Sequence, residues 1–410
     1  MERLTGIPHD LQPLSRRVTA AAMCVDVPTV APGQDNGTVL SYFTEHPAVI
    51  SLPVVENGLP VGLINRHVFL SQMSRLYFRE LYEHKSCVVF MNDAPLVIDS
   101  ACTLDAVAHR MVAFSAQSVT DGFIITHNGY YLGMGLGIDV IKMVSELQTE
   151  QHDNMMQSIA YARVIQESLL SPSREILASQ LQDWALTWQP KDCVGGDYYA
   201  FRRVNDNWLL LIADCTGHGV PGAFMTLILS AAFEKASQIV SADRPDQLLS
   251  EINLGIKYAL SQSHGTTGAL LSNDGCDAIA LFIDKSQQRL IWSAARSNAF
   301  LIASDAKETL TLQSDRMGIG YRETPADYCW PRHEVRFASG DLLFLFTDGL
   351  SDQVGEQRPI MFGRKRIRHL LEQYRDCSAR EIDKKVMQHY LDWQGNQVRR
   401  DDLTFLTLRY

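Results

Sequence analysis

The chain has no C-x-x-C pair, and its eight cysteines (Cys24, Cys87, Cys102, Cys193, Cys215, Cys276, Cys329 and Cys377) follow no regular spacing. That pattern argues against a disulfide framework or a cysteine-rich zinc site and predicts reduced thiols. Long hydrophobic runs are also missing. Runs such as 208–213 and 342–346 fall far short of the roughly 20 residues needed to span a bilayer. The N-terminal residues show no basic stretch followed by an apolar core and a small-residue cleavage site. No membrane segment and no export signal are expected, and the expected localisation is cytoplasmic. Nor is there an excess of basic charge. A net charge of −10 disfavours a surface built to neutralise nucleic-acid phosphates. The one tight basic cluster, Arg364, Lys365, Arg366 and Arg368, shares helical spacing with Ile367, Leu370 and Leu371 and reads as the solvated face of an amphipathic helix.

What is present is an ordinary globular composition, 46% hydrophobic and 20% charged over 410 residues. That length predicts two or three domains. The first 140 residues contain an internal repeat. Leu52-Pro-Val-Val-Glu-Asn-Gly-Leu-Pro-Val-Gly62 aligns with Phe123-Ile-Ile-Thr-His-Asn-Gly-Tyr-Tyr-Leu-Gly133, with the Asn-Gly pairs and the later glycines at the same offset. Each copy reads as a strand, an Asn-Gly hairpin turn, a second strand and a helix. A helical stretch precedes each hairpin, marked by Val39, Tyr42 and Phe43 in the first copy and by Leu104, Val107, Ala108 and Met111 in the second.

This tandem resembles a pair of cystathionine-β-synthase (CBS) motifs over about residues 20–145. The resemblance implies a cleft able to hold an adenine nucleotide. Of the family's ribose-binding positions only Asp139, six residues after Gly133, matches; Asn65, Val68 and Leu136 stand at the others. Asp139 also reads as a cap for the helix that begins there.

From 140 to 170 glycine and proline vanish and apolar residues recur at helical spacing (Ile141, Val144, Leu147, Met155, Ile159, Ala162, Ile165, Leu169), with a polar interruption at 148–154. This predicts a long helix that joins domains and pairs with its copy in a homodimer. Ser171-Pro172 is expected to end it.

In the C-terminal half, carboxylates recur at the ends of apolar strands, usually beside glycine: Gly195-Gly-Asp197, Ala213-Asp214-Cys-Thr-Gly-His-Gly219, Asp274-Gly-Cys-Asp277, Phe346-Thr-Asp348-Gly349 and Arg400-Asp401-Asp402-Leu-Thr404. One Asp-Gly alone is a turn signal. The recurrence points to hard divalent cations, Mn²⁺ or Mg²⁺, which take oxygen ligands and keep several waters. Two such ions about 3.5–4 Å apart can clamp the attacking and leaving oxygens of an in-line phosphoryl displacement.

The ordered series Ile165-Gln-Glu-Ser-Leu-Leu, Pro190-Lys-Asp-Cys-Val-Gly-Gly-Asp197, Asp214-Cys-Thr-Gly-His-Gly-Val-Pro-Gly-Ala-Phe-Met225, Asp274-Gly-Cys-Asp277, Thr347-Asp-Gly-Leu-Ser-Asp-Gln353 and Asp401-Asp-Leu-Thr404 resembles the PPM (protein phosphatase 2C) superfamily in its stage II sporulation protein E branch. The resemblance implies an α/β architecture ending in an αββα sandwich, and three parts: a tandem CBS-like sensory domain over 1–140, a coiled-coil-like linker over 141–170 and a phosphatase domain over 171–410. It further implies a two-metal centre. Asp214 would bridge both ions and the backbone carbonyl of Cys215 would complete one; Asp348 and Asp401 would bind the second, and Asp197 would act through water on the first. Asp402 is left open as ligand or neighbour, and His218 reads as shaping its loop.

The absence of a C-x5-R loop disfavours cysteine chemistry. Ala294-Ala-Arg296-Ser-Asn298 departs from the Ala-Gly-His or Ala-Gly-Ala of many relatives, so Arg296 reads as a phosphate contact or as a salt-bridged residue. The implied activity is hydrolysis of phosphoserine or phosphothreonine on a small regulatory protein, a phosphorylated STAS-type anti-anti-sigma partner. The alternatives are a silent signalling scaffold and a nucleotide-sensing module. Intact Asp214, Asp348 and Asp401 argue against the scaffold.

Overall fold

The computed structural model describes residues 18–114, 117–262, 273–305 and 308–410. Residues 1–17, on which the expectation of no export signal rests, lie outside the described residues. Contacts divide the chain into two compact units, Met1–Met155 and Met156–Tyr410.

In the first unit, α1 (Asn36–Glu45) precedes β1 (Ser51–Glu56), β2 (Leu59–Asn65), α2 (Arg66–Met73) and the short α3 (Phe78–Tyr82). The second copy runs through β3 (Val97–Asp99), α4 (Leu104–Phe114), α5 (Gln117–Asp121), β4 (Phe123–His127) and β5 (Tyr130–Gly135) into α6 (Gly137–Gln180). Both hairpins form as the repeat predicts. Asn57 and Gly58, like Asn128 and Gly129, all have positive φ, the conformation that lets a two-residue turn match strand twist. The two copies join through Asn65, which caps α2 and donates its amide to Asp121 Oδ1 at 2.7 Å, and through Ser51, whose hydroxyl donates to the Asp121 carbonyl. Asp139 lies in the first turn of α6, where a carboxylate complements the helix dipole. It lines a cavity of about 240 Å³ with Cys24, Lys142 and Glu146.

One sequence expectation about α6 needs correction. The long helix forms through the polar stretch 148–154, but Ser171-Pro172 does not end it, since the helix runs unbroken to Gln180 with Pro172 inside. A proline costs an internal helix a hydrogen bond and a steric clash, but here the turns beyond it are anchored in the core. Leu177 and Leu181 are buried, as is Leu170 just before the proline, and the Ser173 hydroxyl accepts from the Phe201 backbone N–H at 3.0 Å. Packing outweighs the local penalty.

The second unit holds two five-stranded sheets. The first has the order β13 (His333–Arg336), β10 (Arg289–Ala295), β9 (Cys276–Asp284), β8 (Asn207–Cys215), β7 (Asp197–Val204). The second has the order β12 (Leu310–Leu312), β11 (Asn298–Ile302), β14 (Leu342–Phe346), β15 (Leu403–Arg409), β6 (Asp183–Gln189). Every pairing in both is antiparallel.

Side chains such as Leu209, Leu211 and Ala213 from one sheet and Leu343, Leu345 and Leu406 from the other share one core. Alternate residues of the second sheet, Phe300, Phe344 and Phe405, turn the other way into a cluster with Ile367, Leu371 and Val386. These come from α10 (Arg364–Gln373) and α11 (Ala379–Gln394); α7 (Gly219–Ile239) and α8 (Pro245–Ala259) cover the first sheet, and the four-residue α9 (Asp348–Ser351) follows β14. Strands buried on both faces explain the continuous apolar runs that made these segments legible. The layers are the expected αββα sandwich.

Candidate active site

Strand register builds half of the site. Asp197 opens β7, Asp214 lies one residue from the end of β8 and Asp277 is the second residue of β9. Their Cα atoms pair directly, Asp197 with Asp214 and Asp214 with Asp277. Directly opposed like charges destabilise a sheet, so this row of three carboxylates carries a cost that burial increases. Asp197 is 1% exposed. Burial and the nearby Asp402 and Asp348 carboxylates push its carboxyl well above the ordinary range, against the lowering effect of the Thr404 and Thr347 hydroxyls. Burial and then Asp197, Asp348 and Asp401 do the same to Asp214. Asp277 is pushed up to about 6, chiefly by burial.

The second sheet supplies the other half from the same end. β14 stops at Phe346, and Thr347 and Asp348 follow at the start of α9. Asp401 and Asp402 immediately precede β15. Thr347 joins the two halves. Its hydroxyl donates to Asp197 Oδ2 at 2.9 Å and accepts from the Thr404 backbone N–H at 3.1 Å. Gly349 is required for a reason unrelated to turn geometry, because a Cβ there would collide with the Asp402 carbonyl oxygen.

Asp402 anchors the loop ahead of β7. Its two oxygens accept from the backbone N–H groups of Lys191 and Gly196, both at 2.6 Å, fixing the loop that leads into Asp197. The buried Gln166 of α6 grips the same loop, donating to the Gly195 carbonyl at 2.6 Å and accepting from the Gly195 N–H at 3.1 Å. Gly196 must be glycine, since a Cβ there would lie 2.8 Å from the Cys215 carbonyl oxygen.

His218 does not join the carboxylates. Its Nδ1 lies 2.8 Å from Asp192 Oδ2 and its Nε2 lies 3.0 Å from Lys191 Nζ. Lysine only donates, so the tautomer that satisfies both contacts carries its proton on Nδ1. Its position fits a loop-shaping role.

Asp277 was left out of the ligand set read from sequence, although its motif was visible there. The signal that includes it is register, which a single motif does not carry. The basic cluster at the start of α10 also needs correction, because Arg364 lines a cavity with Asp214, Asp277, Arg296, Asn298 and Asp348. Only part of that cluster is a solvated face.

The residues fit a hard divalent cation. Five carboxylates (Asp197, Asp214, Asp277, Asp348 and Asp401) interact at one end of the sandwich. Asp197 Oδ1, Asp277 Oδ1 and the nearby Thr404 hydroxyl are buried without a hydrogen-bond partner. Among the described residues no three His, Cys, Asp or Glu side chains are placed to hold an ion by themselves. An open carboxylate cavity suits ions that keep part of their water shell.

Comparison with known proteins agrees with this geometry. Residues 205–410 match the family model of stage II sporulation protein E (SpoIIE). The chain belongs to the SpoIIE family. Phosphoserine phosphatase RsbU of Bacillus subtilis (strain 168) is 23% identical over 281 residues, covering 68% of this chain and 76% of RsbU. Phosphoserine phosphatase RsbP of the same organism is 22% identical over 254 residues, covering 62% of this chain and 58% of RsbP. Among solved structures, the SiaA-PP2C domain of Pseudomonas aeruginosa is 30% identical with a TM-score of 0.57, covering 63% of this chain and 98% of that domain. The SpoIIE-type half is therefore a PP2C phosphatase domain, and the chain is a protein serine phosphatase. Among the described residues no helix is long and apolar enough to cross a membrane.

Proposed function

We propose that the chain hydrolyses phosphoserine or phosphothreonine on a small regulatory protein, using two divalent cations, Mn²⁺ or Mg²⁺. The observation that carries this reading is the Asp197, Asp214, Asp277 row set against Asp348 and Asp401 of the second sheet. Asp214, with the carbonyl of Cys215, would hold the first ion and share the second with Asp348 and Asp401; Asp197 would act through water, with Asp277 beside them. When bound, such ions supply charge neutralisation and activation of water for in-line attack. The chain's own residues keep the carboxylates in place. Thr347 orients Asp197, while Asp402 and Gln166 fix the loop that carries it.

Phosphate release from an aryl phosphate, by wild type and by Asp214→Asn, each with and without Mn²⁺, tests the reading. Activity that requires both metal and Asp214 supports it, and a wild type as inert as the variant rejects it.

A phosphorylated STAS-type protein is the proposed substrate, supported by similarity to the phosphoserine phosphatases RsbU and RsbP. A radiolabelled STAS phosphoprotein that keeps its label under conditions where the aryl phosphate is consumed would remove it. The 1–140 region is proposed to regulate through α6, because Gln166 ties that helix to the Gly195 loop. Exposed Met155, Tyr161, Val164 and Ile165 on α6 support pairing of this helix in a homodimer, which sedentation-independent mass measurement by light scattering checks. Asp139 and Lys142 in their cavity support an adenine nucleotide site, and calorimetry showing no heat with ATP, ADP or AMP would dismiss it.

A further inference from the structure

The cavity lined by Asp214, Asp277 and Asp348 also carries cationic side chains. It encloses about 140 Å³, well under the roughly 300–1,000 Å³ of sites for drug-sized ligands. It suits a phosphoryl group with a few waters. Two guanidinium groups, Arg296 and Arg364, line it, and they differ in how fully they are engaged.

Arg296 is committed to its own surroundings. It sits at positive φ (56°) between β10 and β11. Its Nε donates to the Arg316 carbonyl at 2.8 Å, its Nη2 pairs with Glu323 at 3.3 Å, and its guanidinium lies 5.0 Å from the centre of the Tyr321 ring. This answers the choice left open in the sequence in favour of a salt-bridged residue that shapes the cavity wall.

Arg364 is the first residue of α10 and is exposed. Its Nη1 donates to Asn298 Oδ1 at 2.9 Å, and among the described residues no carboxylate forms an ion pair with it. Asn298 opens β11, where it pairs with Phe346 directly before Thr347 and Asp348. Arg364 is thus held at the carboxylate end of the second sheet, where its charge acts on Asp348, and among the described residues its other guanidinium N–H groups have no hydrogen-bond partner. A phosphate monoester entering an acidic cavity needs positive charge to offset the carboxylates there. A planar guanidinium matches phosphate oxygens with paired donors.

We propose that Arg364, positioned by Asn298, binds the phosphoryl oxygens of the substrate. The proposal rests on the phosphatase reading above. The test uses full-length protein with Mn²⁺, an aryl phosphate as substrate and inorganic phosphate as competing product. Arg364→Ala should raise the inhibition constant for inorganic phosphate and the KM together by about 10- to 100-fold, the worth of a charge-assisted contact. Arg364→Lys should recover part of the loss, and Asn298→Ala should show a smaller rise of the same kind. Arg368→Ala, in an exposed i,i+4 pair with Glu372 on the same helix, should change neither constant.

Wild-type values in Arg364→Ala overturn the proposal while leaving the phosphatase reading intact. A wild type that releases no phosphate overturns both. If Arg364→Ala is inactive, calorimetric titration of inorganic phosphate into the Mn²⁺-loaded variant decides, and unchanged affinity rejects the role. If it does not fold, Arg364→Gln takes its place under the same criteria.

Discussion

The two units solve the problem of polar groups in opposite ways. In the first, where Asn36 Oδ1 is the one buried polar side-chain atom without a partner among the described residues, the side chains that join the repeats satisfy one another: Asn65 caps α2 and bonds Asp121, and Ser51 bonds the Asp121 backbone. In the second, carboxylates are stacked across neighbouring strands and two of their oxygens are buried without partners. A folded protein ordinarily pairs such atoms. Unrelieved repulsion concentrated at one end of a well-packed sandwich is a functional signature, because a cation can relieve it and a hydrophobic core cannot.

The largest effect expected to sharpen this contrast is at Asp214. Asp214→Asn should lower Mn²⁺-dependent phosphate release by about 10²–10³-fold or more, the scale for loss of a principal electrostatic group. The same change should raise the thermal midpoint of metal-free protein, because it removes one charge from the row; a lower midpoint would break the claim that the row is a strained feature.

A pH effect tests whether raised carboxyls can be purely structural. Asp383 on α11 accepts from the Thr187 hydroxyl, and burial pushes it up to about 6. The folded state then holds this proton more tightly than the unfolded chain, whose aspartates titrate near 3.9. Stability from this group is full below about pH 4, falls as pH rises towards 6 and is flat above. Asp383→Asn should remove up to about 3 kcal/mol of that slope in denaturant titrations from pH 4 to 7, with little change in phosphate release.

Gln166→Ala should cost about 1–3 kcal/mol through the buried Gly195 N–H and C=O it leaves unpaired, and should alter turnover several-fold in an aryl phosphate assay. A stability loss without any turnover change would disconnect α6 from the site. Gly129→Ala should have the smallest effect, about 1 kcal/mol from its positive φ, because nothing lies within 4 Å of the added carbon. It should leave aryl phosphate hydrolysis unchanged.

Much of the architecture was readable because its signals are local. The Asn-Gly turns declare positive φ at both central positions, and continuous apolar runs such as 208–213 declare strands covered on both faces. Asp197, Asp214, Asp348 and Asp401 were readable because each sits at a strand end in a short motif. Pro172 was misread by the same local logic. Its helix-breaking tendency is real, yet Leu177, Leu181 and the Ser173 contact lie beyond it and could not be weighed from the adjacent residues. Arg364 was assigned to a solvent face because charge and helical spacing say nothing about what faces the first turn of a helix.

The sequence by itself determined the turns, the strands, the order of the carboxylate motifs and the family they indicate, since each depends on residues a few positions apart. Only the tertiary structure decided that Asp277 completes a row with Asp197 and Asp214, that Asp402 anchors a loop, that Gln166 connects α6 to that loop and that Arg364 shares a cavity with Asp348. Those outcomes follow from strand register and from packing between distant segments. A shift of one residue in register would send each side chain to the opposite face.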